Sequence, residues 1–152
     1  MSWSPAWIAA AARVVVDADS GRLTLVDLLD GMVTARVPAS LQGFALAARF
    51  SREEGLDAEG QLGVRFERQD GDGDWEPVHE STASFTAGQP VTYAWVQFRV
   101  LRVRAPGPLR FRLSWRADGG RWRRGPVHAL QVILLPDGEQ LAAQLDALPP
   151  LG

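Results

Sequence analysis

The chain predicts an all-β fold, an antiparallel sandwich or jelly roll, on three observations. Leu109, Phe111, Leu113 and Trp115 alternate with Arg110, Arg112, Ser114 and Arg116, the period of two that gives a strand one dry and one wet face. Short apolar and β-branched runs recur at roughly ten-residue spacing, with Asp-, Gly- and Pro-rich turns between them. Helical periodicity appears only in the tail.

Ile8 to Val16 and Arg22 to Leu29 are apolar runs joined by Asp17-Ala18-Asp19-Ser20-Gly21. Asp and Ser side chains bond a turn backbone and Gly supplies positive φ, so the pair is expected as a hairpin. Met32 to Val37 adds a short strand before Pro38. Phe44, Leu46, Ala48 and Phe50 alternate with Ala45, Ala47 and Arg49, and Leu62, Val64 and Phe66 with Gly63, Arg65 and Glu67, which makes two further strands. After the polar turn Asp70-Gly71-Asp72-Gly73-Asp74, a strand starts at Trp75 to His79. Val91 to Arg104 and Leu109 to Arg116 flank Ala105-Pro106-Gly107-Pro108 and are expected to pair as an arginine-rich hairpin. The first arm changes parity, from Val96, Phe98 and Val100 to Leu101 and Val103, and a bulge near Val100-Leu101 would restore the register. Following Asp118-Gly119-Gly120, Val127 to Leu135 is a last, nearly all-apolar strand.

Past Leu135 the pattern changes. Asp137 is an N-cap with Gln140 three residues on, and Leu141, Leu145 and Leu148 recur at helical spacing until Pro149-Pro150, which predicts an amphipathic helix from about Gly138 to Leu148. Residues 1–135 are thus expected as the sandwich and 136–152 as a helix and tail of the same domain. At 152 residues and 46% hydrophobic content, such a domain buries roughly two-thirds of its unfolded surface.

Four pieces, Asp19-Ser20-Gly21-Arg22-Leu23-Thr24-Leu25-Val26, Val37-Pro38-Ala39, Pro106-Gly107-Pro108-Leu109-Arg110-Phe111-Arg112-Leu113 and Asp118-Gly119, follow one another in this order. Together they resemble an uncharacterised family of bacterial β-sandwich domains of unknown function. The resemblance covers about Ile8 to Leu135, implies the sandwich and brings no activity with it. Asp27, Leu109 and the C-terminal helix depart from the family pattern.

Several chemistries are closed by composition. There is no cysteine, so a disulfide framework, a thiolate nucleophile and a thiolate zinc site are excluded. All 16 basic residues are arginine, which reads as the codon bias of a GC-rich genome and removes the P-loop and Schiff-base lysines. No positive charge precedes the apolar run Trp7 to Ala12, and Arg13 interrupts it, so neither a secretion signal nor a membrane span is expected and cytoplasmic residence is the default.

The acidic turn from Asp70 opens like a calcium loop. However, Trp75 stands where such a loop needs glycine and Ser81 where it needs glutamate, so a solvated turn is expected and no metal. His79 and His128 are isolated on strands outside any metal-spacing motif, and no G-x-S-x-G elbow is present, so no catalytic residue is assigned. Asp27 lies inside an apolar run and is expected to point outward. Of the six tryptophans, Trp115 has core parity, whereas Trp75 and Trp122 lie beside turns.

Charge is the feature that rises furthest above background. From Glu53 to Glu80 ten acids face two arginines, a net of −8; from Arg99 to Arg124 nine arginines face one acid, a net of +8; the whole chain carries −2. One reading pairs acidic strands with basic ones across a solvated sheet. The other is a basic sheet face built on Arg102, Arg104, Arg110, Arg112, Arg121, Arg123 and Arg124, with Trp122 among them, whose planar forks bind carboxylates of a partner. The expected function is a non-catalytic protein-binding or assembly module that uses this face, engages an acidic protein surface or another copy of itself, and carries no cofactor. Nucleic acid is disfavoured because the chain is net acidic. The alternative is a small-ligand or glycan-binding sandwich using Trp75 or Trp122.

Overall fold

The computed structural model describes residues 3–52, 59–71, 73–136 and 146–149. Among them run nine strands: β1 (Trp3–Val16), β2 (Leu23–Leu28), β3 (Gly31–Thr34), β4 (Ala39–Arg52), β5 (Gly60–Asp70), β6 (Glu76–Phe85), β7 (Val91–Val103), β8 (Gly107–Ala117) and β9 (Arg123–Leu134). They form a four-stranded sheet in the order β2-β1-β4-β7 and a five-stranded sheet in the order β3-β9-β8-β5-β6. The all-β reading holds.

Alternation decides which side chains meet. Phe44, Leu46, Ala48 and Phe50 from β4, and Leu62, Val64, Phe66, Phe111 and Leu113 from β5 and β8, have no solvent exposure and belong to one core cluster. Rings bridge the sheets, Phe44 to Phe111 at 5.7 Å and Phe50 to Trp115 at 6.3 Å. Each large apolar side chain buried here contributes roughly 1.5–3 kcal/mol of transfer free energy. Trp3 and Phe85 add an edge-on pair at 5.1 Å, and the Arg52 guanidinium lies 5.8 and 5.7 Å from the two rings.

The Asp17–Gly21 turn forms as its residues dictate. Asp17 Oδ1 accepts hydrogen bonds from the Asp19 and Ser20 amides at 3.0 and 2.7 Å and from the Ser20 hydroxyl at 3.0 Å, while Gly21 takes φ +68°. β1 and β2 pair antiparallel from Val16 opposite Leu23 to Ala11 opposite Leu28. Asp27 is exposed, as its outward placement requires, at φ +55°.

Three expectations are corrected. First, the arginine hairpin does not form: β7 pairs with β4 from Val91 opposite Ser51 to Val103 opposite Ala39, and β8 lies between β5 and β9 in the other sheet. A hairpin would put Leu101, Val103, Leu109 and Phe111 on one face of one sheet. Crossing between sheets at Arg104–Pro106 lets those buried side chains close a shared core from opposite sides. Second, β7 has no bulge near Val100-Leu101. Its register with β4 runs unshifted, and the buried parity changes on both strands together, near Gly43 at φ +61°, between the Phe44–Phe98 and Gln42–Val100 pairs. Third, the fold is not wholly antiparallel, because β3 runs parallel to β9 with Val33 opposite Ile133. The chain crosses from β2 to the other sheet, where the Gln131 amide bonds the Asp30 carbonyl and the Leu135 amide bonds that of Thr34.

Register shifts occur instead beside prolines: between Pro5 and Trp7 on β1, at Val78 next to Pro77 on β6, and at Gly125-Pro126 on β9. Proline has no N–H for the ladder, so a bulge is where a strand tolerates it. The helix expected from Gly138 to Leu148 falls mainly outside the described residues. Leu148, one of its three regularly spaced leucines, is exposed. Among the described residues, no helix is long and apolar enough to cross a membrane.

Candidate binding surfaces

The two oppositely charged segments meet because β5 and β8 are neighbours. Glu67 and Arg112 are cross-strand partners, with Arg112 Nη2 2.7 Å from Glu67 Oε2 and both side chains about one-tenth exposed. The Ser114 hydroxyl donates to the other oxygen of Glu67. At the end of β5, Arg68 reaches Asp70 at 2.9 Å and Glu76 at 3.1 Å, and Arg104 reaches Glu76 at 2.9 Å and Asp70 at 3.7 Å. The Arg104 amide also donates to Asp70 Oδ2 at 2.8 Å. This four-charge cluster fastens the β7–β8 connection to the β5–β6 turn. Asp70, the opening residue of the calcium-like turn, is thereby committed to arginines; Asp72 lies outside the described residues.

Arg102 and Arg104 therefore do not share a sheet with Arg110 and Arg112. Arg102 is exposed on β7, and its carbonyl accepts from Arg68 Nη1 at 2.5 Å. Arg110, on β8, donates to the neutral Gln69 side chain at 2.9 Å. Arg121 and Trp122 occupy the β8–β9 turn, and Arg123 and Arg124 open β9. The Arg123 guanidinium stands 5.4 Å from the Trp115 ring. Arg121 and Arg124 are exposed.

The tryptophans beside turns carry stacked guanidiniums. Trp122 is flanked by Arg65 at 4.0 Å and Arg116 at 4.4 Å, and Trp75 lies under Arg112 at 4.4 Å, contacts worth about 0.5–2 kcal/mol each. Gly63 makes room for this stack, since a Cβ there would come within 3.0 Å of Arg116 Cγ and 3.5 Å of the Trp122 ring. A sugar stacking on a covered face of either ring must first displace a guanidinium. Trp115 is core, at 5% exposure. The histidines also have local partners: His128 Nε2 is 2.7 Å from the Leu29 carbonyl oxygen, and the His79 ring contacts Phe66 and Phe98.

On the outer side of the four-stranded sheet, the structure assembles a cleft that the strand pattern alone does not reveal. Trp7, Arg49 and Tyr93 are lateral neighbours across β1, β4 and β7, followed by Ala9, Ala47 and Trp95. Their parity is opposite to that of the core residues Ala48, Phe50 and Ala94, so they face away from the interior. The cleft has a volume of about 570 Å³ and is lined by the Ser20–Arg22 turn together with Arg49, Gln89, Tyr93 and Trp95. Alternation did place Arg49 on the polar side of its strand. What could not be read was that β7 is its neighbour.

No family model matches this chain, and the search of curated proteins finds no match either.

Proposed function

We propose that the two sheets form a β-sandwich that serves as a non-catalytic protein-binding or assembly module, docking through the outer face of the five-stranded sheet. The observation that carries this reading is a set of exposed apolar side chains on β9 and β3 beside basic ones. Val127 and Ile133 on β9 are 49% and 50% exposed, and Val33, opposite Ile133 on β3, is 60% exposed. Arg110 and Arg112 lie laterally beside Ala129 and Val127. Arg112 is neutralised by Glu67, whereas Arg110 bonds only the uncharged Gln69 among the described residues, so its charge is available to a partner. Exposed apolar side chains gathered on one face mark interaction sites, and arginine is enriched in interface cores. The matching partner is a protein surface whose apolar side chains are flanked by carboxylates. Cytoplasmic residence and the absence of a cofactor belong to the same proposal.

Ile133→Asp and Arg110→Glu test it, each compared with the wild type for co-purified protein from the native host, mass in solution and melting temperature. Both variants are expected to melt like the wild type and lose the same co-purifying protein. Undiminished retention by both overturns the docking face. A second reading, a small-ligand module, is favoured by the cleft beside Trp95 on the other sheet.

A further inference from the structure

We infer that the cleft on the outer face of the four-stranded sheet is a binding site for an acidic saccharide, a sugar ring bearing a carboxylate. It lies on the sheet opposite the docking face and stands or falls separately from it.

The argument begins with Arg49. It sits on β4, an interior strand, half-buried between Trp7 and Tyr93. Among the described residues its guanidinium has neither an ion pair nor a hydrogen bond, and the same holds for Arg22, which enters the cleft from the β1–β2 turn. Arg65, Arg68 and Arg112 on the five-stranded sheet are by contrast each paired with an acid. Partial burial withdraws water from a cation, and the cost is recovered only when an anion takes its place. Two arginines lining one cleft supply forks of the planar geometry that fits a carboxylate.

The aromatic residues define the rest of the ligand. Trp95 and Tyr93 are two residues apart on β7 and project on the same side. Trp95 is 44% exposed, and unlike Trp75 and Trp122 it has no cation stacked on its ring among the described residues. An open indole is a platform for the C–H face of a sugar. Ser20 and Gln89 add hydroxyl and amide groups to the lining, and both are held in place. The Ser20 hydroxyl donates to Asp17, while Gln89 accepts from the Thr86 amide at 3.2 Å and donates to the Val91 carbonyl at 3.2 Å. A flat aromatic acid would need an enclosed apolar slot. A cleft with hydroxyl, amide and guanidinium groups around one open ring suits a sugar ring with hydroxyls on its edge, a C–H face and one carboxylate. The volume of about 570 Å³ lies within the range of about 300–1,000 Å³ typical of ligand sites.

Titration calorimetry of the full chain with a galacturonic acid trisaccharide tests the assignment, with its methyl ester as the neutral counterpart and glucose 6-phosphate as an alternative anion. The trisaccharide is expected to bind, and the ester to bind about tenfold more weakly, the equivalent of about 1.4 kcal/mol. Arg49→Gln and Trp95→Ala should each weaken binding by a similar factor. Arg22→Gln, on an exposed turn, gives the same readout without touching the sheet, and melting temperatures show that all three variants are folded. Arg110→Glu should leave binding unchanged. The inference is overturned if no heat is detected at millimolar trisaccharide, if the ester binds as well as the acid, if the sugar phosphate binds more tightly than the uronate, or if Arg22→Gln and Trp95→Ala leave the affinity intact.

Discussion

Asp17 shows how one side chain organises a turn. Its carboxylate accepts two backbone amides and a hydroxyl within the next three residues, and these bonds, led by those from Ser20, hold its pKa below the ordinary carboxylate value. Because the folded value lies below the unfolded one, the bonds add stability above the ordinary carboxylate range, and that contribution is lost as the pH falls through the lowered value. Asp17→Asn should therefore lower the melting temperature slightly at pH 7, with the difference from the wild type closing toward pH 3. A difference that stays constant across a thermal series between these pH values would show that the charge plays no part.

At the level of elements, prolines and glycines explain where strands bend. The shift between β8 and β9 places Gly125 and Pro126 opposite Leu113, and a Cβ at Gly125 would lie 2.8 Å from the Leu113 carbonyl oxygen. A backbone oxygen in a ladder cannot move aside as a flexible side chain does. Gly125→Ala should accordingly cost about 1–3 kcal/mol in urea unfolding, the usual penalty for overpacking. A change below about 0.5 kcal/mol, the scale of neutral surface substitutions, would mean that the bulge absorbs the methyl group. Pro5, Pro77 and Pro126 are visible in the sequence, and each coincides with a shift. The shift expected at Val100-Leu101 had no proline beside it and does not occur.

Across the whole molecule, the charge asymmetry resolves into a latch between layers. Arg68 and Asp70 are 4% and 7% exposed in their side chains, whereas Arg65 and Glu80 are 28% and 48% exposed. Removing one partner of a buried pair leaves the other short of compensation, and because Arg104 and its amide stay on Asp70, Arg68→Ala should fall at the lower end of the range of about 3–5 kcal/mol. An exposed pair contributes about 0–1 kcal/mol and is screened by salt, so Glu80→Ala, which removes the pair and leaves Arg65 on Trp122, should have a small effect at low salt that shrinks further in 0.5 M salt, a concentration whose screening length is only about 4 Å. Equal losses at the two sites, or equal salt sensitivity, would contradict a latch buried between the sheets.

Much of this fold was written in local patterns. Alternation in Phe44 to Phe50, Leu62 to Phe66 and Leu109 to Trp115 specified strands and their dry faces, because side-chain direction along a strand depends only on a period of two. Asp17 to Gly21 specified its turn because the bonds that make it span at most five residues. Pairing was not local in this sense. Whether Val91 to Val103 would bond to its sequence neighbour or to β4, and whether Arg112 would face solvent or Glu67, depended on which arrangement closes a common core, a sum over residues far apart in the chain. The same holds for the cleft. Arg22, Arg49 and Trp95 carry no shared motif, and only the order β2-β1-β4-β7 with the turn brought against it places two arginines beside one open ring.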